Sequence, residues 1–446
     1  MSFSPASLRE LLEAHTPAAA TGLVVALSGG ADSAVLLTAA AQLDPPFRGL
    51  SLRAIHVDHG LQSAAVDFRR ACERLCRHLE VPLNTIAVTV DAHSGLSIEA
   101  AAREARYAGL AREFKAGECL LTAHHAEDQA ETLLLQLLRG AGLKGLSAMP
   151  ACRPWQGGWH IRPLLGVTQA ELRTFGGRSG VQAVHDPMND DPRFDRVYLR
   201  RELWPLIETR WPGAAGALSR GARHLAEGQE LLDQAAARSV QALRDGNTLS
   251  VTGLRMLSTS EQVNTLRYWI DANNVQLPST SRLTEALRQI LVAEADHLPT
   301  VVWGEQALRR YRDRLFLTPA TPPALAEVRE WHVASGKSLA LSNGAGTLHW
   351  EPRCGGLDAA RLPPVLLVRP RRGGETLKPH VRAATQTVQH LCQSLGVLPW
   401  MRDALPMLYA GKELIAVGDL WLDARWCVPA SAPGFACRWQ DAPILV

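Results

Sequence analysis

Short apolar runs alternate with helix-like patterns through the first two hundred residues, which is the signature of βαβ units around a parallel sheet. "TGLVVAL" (21–27) predicts a buried strand and "ADSAVLLTAAAQL" the helix it feeds. "LRAIHVDHG" and "NTIAVTV" predict two more strands, followed by the helical stretches "VDFRRACERLCRHLE" and "LSIEAAAREARYAGLAREF". "ECLLTAHH" predicts a fourth strand, after which Ala130, Leu133, Leu134, Leu137 and Leu138 keep the spacing of an amphipathic helix. The unusual polar residues fall just after strands, where open α/β sheets bind ligands. The expected fold class is therefore α/β, with a Rossmann-like parallel sheet.

At 446 residues the chain is too long for one hydrophobic core and predicts several domains. Residues 1–211 carry the alternating pattern, and 212–318 read as a helical domain. The Pro-rich "TPATPPALAEV" (318–328) marks a connector with short strands over 319–364, and 365–446 read as a small α/β or mainly β terminal domain. With 46% hydrophobic and 20% charged residues the chain is of ordinary globular composition, not disordered. Its start lacks a charged segment leading into an apolar core, and no apolar run approaches the roughly 18 residues that span a bilayer. These features predict a cytoplasmic protein with no membrane partner. Eight scattered cysteines form no C-x-x-C knuckle, and Cys72 and Cys76, one helical turn apart, read as a packed helix face.

"LSGGADSAVLL" (27–37) puts bare backbone at the mouth of a helix, where exposed N–H groups and the helix dipole favour an anion. No lysine follows as in a G-x-x-x-x-G-K-[ST] loop. "HVDHG" (56–60) is either a capped turn or a ligand contact. Glu99, Arg103 and Arg106 share one helix face, either as a solvated stripe or with Arg106 meeting phosphate charge. In "TAHHAEDQAETLLLQLLRG" (122–140), His124, Asp128 and Glu131 fall at four- and three-residue spacings opposite a leucine face. Buried carboxylates need a cationic partner, so this helix start predicts a pocket for an ammonium group, with histidines able to move protons. Arg193, Arg196, Arg200 and Arg201, interleaved with Phe194 and Tyr198, read either as a phosphate-contacting strip or as an ion-pair cluster. "RPRRGGETLKPHVR" (369–382) carries five basic residues against one acid, a pattern for binding a nucleic-acid backbone.

The Ser28–Ser33 string resembles the pyrophosphate loop, or PP-loop, of the N-type ATP pyrophosphatase superfamily. Together with "HVDHGLQ", "EAAAREARYAGL", "TAHHAEDQAETLLLQLLRGAGLKGL", "IRPLL", "DPMNDDPRFDRVYLR", "RPRRGGETLKP" and "LGVLPWMRDALPMLYAGKELIAVGDLW", it resembles the bacterial tRNA(Ile)-lysidine synthetase family, in the long form with two C-terminal domains. The resemblance implies ATP-dependent ligation of free L-lysine to C2 of the wobble cytidine of tRNA(Ile) with a CAU anticodon, through an adenylated base. AMP and pyrophosphate are released, and codon reading changes from AUG to AUA. It implies that Ser28, Gly29, Gly30, Ala31, Asp32, Ser33, His56 and Arg106 bind ATP, with Asp32 helping to hold Mg2+. Asp32, His124, Asp128 and Glu131 would serve catalysis, with Asp128 and Glu131 orienting the lysine and His124 or His125 assisting proton removal. Arg196, Arg200, Arg369, Arg371, Arg372 and Lys378 would contact tRNA, and a homodimer is compatible with the family.

The sequence departs from the family at Glu127, where aspartate is common, at Gln62, where a basic residue is common, and at Val197, where asparagine usually follows the arginine. A tRNA thiolase of the same superfamily would need a cysteine pair or iron–sulfur cluster. An amide-forming synthetase would leave the basic C-terminal segment unexplained, and a non-catalytic tRNA-binding protein would leave the intact loop unexplained.

Overall fold

Both faces of the N-terminal sheet are covered by helices, and its central strands are accordingly apolar throughout. The computed structural model describes residues 2–58, 65–89, 98–181, 195–293, 298–322, 324–332, 338–342 and 345–442, which fall into two units, Met1–Asp233 and Gln234–Val446. In the first unit α1 (Pro5–His15) precedes β1 (Gly22–Ala26), α2 (Ala31–Ala41), β2 (Ser51–Asp58), α3 (Ala65–His78), β3 (Leu83–Ala87), α4 (Ile98–Glu113), β4 (Glu118–Leu121) and α5 (Ala126–Leu138). The short α6 (Leu143–Leu146), a hairpin of β5 (Cys152–Trp155) and β6 (Gly158–Ile161), α7 (Gln169–Arg178), α8 (Asp195–Tyr198) and α9 (Trp204–Arg210) complete it, ahead of the long α10 (Ala214–Leu243).

The strand order is β3-β2-β1-β4-β6-β5, parallel except for the β5–β6 pair. Val24, Ile55 and Leu120 pack one face against Leu110 of α4. Leu23, Val25, Leu121 and Ile161 pack the other against Leu8, Leu36, Leu37 and Leu172. The sequence reading did not foresee the hairpin, whose two-residue turn places Gln156 and Gly157 at φ 49° and 73°, the hairpin-favouring hand.

In the second unit α11 (Val251–Arg255), α12 (Thr259–Ala272) and α13 (Thr280–Val292) accompany five antiparallel strands: β7 (Arg244–Asp245), β8 (Thr248–Ser250), β9 (Thr300–Trp303), β10 (Gln306–Tyr311) and β11 (Arg314–Pro319). Residues 212–318 are thus helical with a sheet packed on the helices, Leu266, Trp269 and Leu287 meeting Leu308 and Leu315. The segment expected as a connector holds β12 (Arg329–His332), β13 (Leu339–Ala340) and β14 (Thr347–Cys354). The chain continues through β15 (Val365–Arg369), β16 (Thr376–Leu377), β17 (Gln386–Thr387), α14 (Val388–Leu395), β18 (Met407–Ala410), β19 (Glu413–Val417), β20 (Trp421–Leu422) and β21 (Pro433–Gln440). β12 joins β15 and β14 joins β21, and Trp331 stacks on Trp350 at 4.6 Å between these two sheets. Residues 319–364 are therefore built into the same core as the C-terminal strands.

At the amino end of the N-terminal sheet, Arg53 of β2 reaches across β1 to Glu118 of β4. Its Nε and Nη2 donate to the two carboxylate oxygens at 2.9 and 2.6 Å, and the Lys115 amide donates to the same carboxylate at 2.8 Å. Burial alone would raise the Glu118 pKa, but the bonds from Arg53 and Lys115 outweigh it and hold the pKa below the ordinary glutamate value. A carboxylate shifted in this direction stabilises the fold fully above its unfolded pKa and loses that contribution as pH falls through its folded pKa. Arg53→Ala is expected to destabilise the first unit by about 3 kcal/mol, because it strands a buried carboxylate. Denaturant unfolding near neutral pH measures this, and the deficit relative to wild type should shrink once the pH is low enough to protonate Glu118.

Candidate active site

The carboxyl ends of β1, β4 and β6 open on one crevice, at the point where the chain order reverses. After β1 the chain turns through Ser28–Gly30 into α2. Gly29 has φ +89°, and a Cβ there would lie 2.8 Å from Phe68 Cδ1. The two serines fix the turn from inside. Ser33 Oγ donates to the Gly30 carbonyl (3.0 Å) and accepts from the Ser28 amide (3.1 Å), while the hydroxyls of Ser28 and Ser33 lie 3.0 Å apart. Gly30 caps α2 without a side chain, so the helix's first N–H groups face the crevice, as an anion requires.

His56 lies under this loop instead of lining the crevice. It is 2% exposed, with Nδ1 2.8 Å from the Leu27 carbonyl and 3.5 Å from Cys72 Sγ. It therefore seats the residue that enters the loop. Burial pushes the Cys72 thiol up to about 12, Cys76 to about 11 and Cys119 to about 12, leaving them protonated and weakly nucleophilic.

The mouth of α5 faces α2 across the crevice. His125, its N-cap residue, places Nε2 3.7 Å from Asp32 Oδ2 and 3.4 Å from Asp128 Oδ2, with Nδ1 2.8 Å from Glu127 Oε2. Burial opposes its charge, yet the bond to Glu127 and the charges of Asp128, Asp32 and Glu127 prevail and raise its pKa. Glu127 also accepts from the Gln169 amide at 2.9 Å. The departure at position 127 thus keeps a carboxylate that orients His125, a role the sequence reading missed. Asp32 is shifted up, chiefly by burial and despite His125, so it is a carboxylate short of positive charge.

Asp128 and Glu131, the expected ammonium partners, already face arginine. Arg200 Nε and Nη2 donate to the two Glu131 oxygens at 2.7 and 2.9 Å, and Nη2 lies 3.2 Å from Asp128 Oδ1. Arg196 donates to Thr132 Oγ1 at 2.8 Å and stands 3.7 Å from Glu131. Among the readings left open for this arginine group, the structure gives the ion-pair cluster for these two residues. Leu199–Leu203, which carry Arg200, form a π-helical turn. Arg193, Phe194, His59, Gly60, Gln62 and the Glu99 side chain lie outside the described residues. Arg106 and Arg103 stand 5.8 and 5.2 Å from the Tyr107 ring centroid, on the side of His124. Among the described residues no cluster of three His, Cys, Asp or Glu side chains fits a metal ion, and no helix is long and apolar enough to cross a membrane.

In the second unit the basic segment leaves β15 as a tight loop. Arg369 stacks on Tyr409 at 5.0 Å, and Arg371 is 14% exposed between Glu375 and Asp403. Arg372 is exposed and Lys378 half-buried. The fully buried Asp423 clamps the loop, accepting from the Lys378 amide at 3.1 Å and from Arg425 Nε and Nη2 at 2.9 and 2.8 Å.

The anion-ready turn on a parallel sheet defines a PP-loop domain that uses ATP, and a family model of that description matches residues 4–207. A TilS substrate binding domain matches residues 249–316, and a TilS substrate C-terminal domain matches residues 366–439. The tRNA(Ile)-lysidine synthase of Coxiella burnetii is 38% identical over 93% of this chain and 92% of its own length. Those of Alkalilimnicola ehrlichii and Pseudomonas aeruginosa are 37% and 39% identical, over 97% and 96% of this chain and 96% and 98% of theirs. The chain belongs to the tRNA(Ile)-lysidine synthase family. A U34-tRNA thiolase from Methanococcus maripaludis is a distant structural neighbour, 16% identical over 50% of this chain and 78% of its own at TM-score 0.40.

Gly29 and Gly30 make opposite demands on a side chain. Gly29→Ala adds a clash with Phe68 and about 1–3 kcal/mol of backbone strain, and the loop relieves both by moving away from the nucleotide. ATP affinity should fall about tenfold or more for this variant. At Gly30, where φ is −77° and a Cβ meets only Ser28 Oγ at 3.4 Å, Gly30→Ala should cost much less. Calorimetric titration of both variants with ATP measures the difference, and equal losses would show that the turn's conformation is not what binds the nucleotide.

Proposed function

We propose that the chain ligates free L-lysine to C2 of the wobble cytidine in the CAU anticodon of tRNA(Ile), using ATP to adenylate the base oxygen first. The observation that carries this reading is the pairing of an anion-binding loop on α2 with a carboxylate-rich mouth on α5, 3.7 Å apart at Asp32 and His125. One half suits a departing pyrophosphate and the other a cationic amino acid.

In this reading the backbone amides of Gly29 to Ser33 and the Ser28 and Ser33 hydroxyls take the β- and γ-phosphate oxygens as pyrophosphate leaves, the Gly30 amide exchanging its bond to Ser28 Oγ for one to phosphate. Electrostatic stabilisation of this kind is usually the largest catalytic contribution. Asp32 fits a magnesium ion brought by the nucleotide, since Mg2+ is commonly held by one or two carboxylates plus phosphate oxygens and water. When bound, the ion offsets phosphate charge. His125, held protonated by Glu127, adds a fixed cation next to Asp32. Arg106 meets phosphate from the α4 side. Arg200 saturates Glu131, so Glu131 is a positioning residue for Arg200, and Asp128 is the carboxylate that orients the lysine ammonium. The protonated state of the Cys72, Cys76 and Cys119 thiols supports ligation over sulfur transfer.

We assign tRNA contacts to residues 212–318 and 365–446, with the exposed Arg372 on the loop and the half-buried Lys378 where it is clamped nearer the phosphates than Arg369 and Arg371. A reaction that consumes tRNA, ATP and free lysine supports a cytoplasmic protein.

The primary test follows AMP from labelled ATP. Pyrophosphate should be released only with cognate tRNA present, and AMP should then be freed in step with lysine incorporation, while ADP as the product would end this reading. Asp128→Asn should raise the KM for lysine by about tenfold or more, the worth of one charge-assisted contact, with little effect on ATP affinity. An unchanged KM and turnover would remove Asp128 from this role. The double substitution Arg372→Ala, Lys378→Ala should weaken tRNA binding and flatten the slope of log affinity against log salt by about 1 for each phosphate that is no longer neutralised.

A further inference from the structure

His124 comes just before the N-cap of α5 and interacts electrostatically with Asp128, and its protonation pattern follows from a buried chain of hydrogen bonds behind it. Arg162, immediately after β6 and 3% exposed, points Nη2 at His160 Nδ1 (3.2 Å). His160 Nε2 lies 2.9 Å from Thr122 Oγ1, which lies 2.9 Å from His124 Nδ1. His160 is wholly buried and Thr122 is 8% exposed.

The direction of every bond is fixed at the arginine end. A guanidinium only donates, so His160 Nδ1 must accept, and a neutral imidazole then carries its single proton on Nε2. That proton is donated to Thr122 Oγ1. The threonine has one hydrogen of its own, and once His160 donates to the hydroxyl oxygen the one acceptor left for it among the described residues is His124 Nδ1. His124 therefore accepts at Nδ1 and keeps its proton on Nε2. The reverse arrangement would leave His160 with two acceptors and no proton.

Charges around the chain keep both rings neutral. Burial, then Arg162, Arg153 and Arg103, push His160 down to about 2. Burial, with Arg162, Arg103 and Arg106, pushes His124 down to about 3, overriding the opposing charge of Asp128. A ring so weakly basic is a poor acceptor for an amine proton and is better suited to donate a hydrogen bond.

We propose that His124 acts as a permanent neutral hydrogen-bond donor through Nε2–H, aimed at an anionic oxygen of the nucleotidyl group transferred to the base. Arg162, His160 and Thr122 are the positioning residues that lock its tautomer. No proton is transferred in this role. The donor stabilises charge on the phosphate oxygen during adenylation and again when AMP leaves. The choice of acceptor rests on the ligation reading above; the tautomer does not.

The test uses the full chain with 15N-labelled histidine, and His124 is assigned by the signals that disappear in His124→Gln. Long-range 1H–15N correlation spectra should show His124 as a single Nε2–H tautomer that stays neutral down to about pH 5.5, more than two units above its own pKa. An Nδ1–H tautomer, or protonation with a midpoint above about 6, near the ordinary histidine value, would overturn the proposal. Thr122→Val keeps the shape and removes the hydroxyl. It should mix the His124 tautomers and lower kcat for AMP formation by about tenfold or more, as loss of an outer-layer partner of a functional histidine does, with KM for ATP and lysine unchanged. Thr122→Ser should restore both. A Thr122→Val enzyme with wild-type kcat would sink the donor role. Because the wild-type spectrum stands by itself, a poorly folding variant does not remove the test. An enzyme with the expected tautomer that makes no AMP with cognate tRNA would refute the ligation reading alone.

Discussion

Two helix mouths share one crevice because β1 and β4 are neighbours in a sheet whose chain order reverses between them. This adjacency governs the rest of the first unit. Parallel strands deliver their following helices with N-termini at the same edge, so α2 and α5 present two positive dipole ends side by side. That field is the setting in which Asp32, Glu127 and Asp128 can stand close together, and His125 between them holds a proton that burial alone would remove. The crevice is thus divided into a part suited to anions at the Ser28–Ser33 turn and a part suited to cations along α5. The division follows from topology and needs no resident ion.

Behind these groups lies a layer that fixes orientation. His56 seats Leu27, Glu127 ties His125 to the start of α7, and Arg200 occupies Glu131. Each is an interaction between elements far apart in the chain. Together they give the groups facing the crevice fixed positions and protonation states before substrate arrives, which is what electrostatic preorganisation requires.

Much of this was legible in the sequence where the physics is local. The strands β1 to β4 showed as apolar runs, the nucleotide turn as Gly and Ser between strand and helix, and the α5 mouth as acids at helical spacing. Pairings that cross the fold were not legible. Nothing in the spacing of residues 196 to 201 distinguishes an arginine that meets phosphate from one that meets Glu131, and only the approach of this segment to α5 decides it. The β5–β6 hairpin was missed because its strands are four residues long and one contains Pro154, although the Gln156-Gly157 pair was an available turn signal. The strands β9 to β11 were absorbed into a helical reading because runs such as "QALRRY" mix apolar and basic residues with neither period. His160 drew no notice and Arg162 entered only within the string "IRPLL", since a buried arginine two residues from a histidine has meaning only once Thr122 lies between that histidine and His124.

The buried Asp423 has a consequence for any partner that meets the basic loop. It accepts from the Lys378 amide and from Arg425, and so ties the chain just after β16 to the turn that follows β20. A backbone anchored at such a point has less freedom to lose on association, so less of the energy of contact is consumed in ordering it.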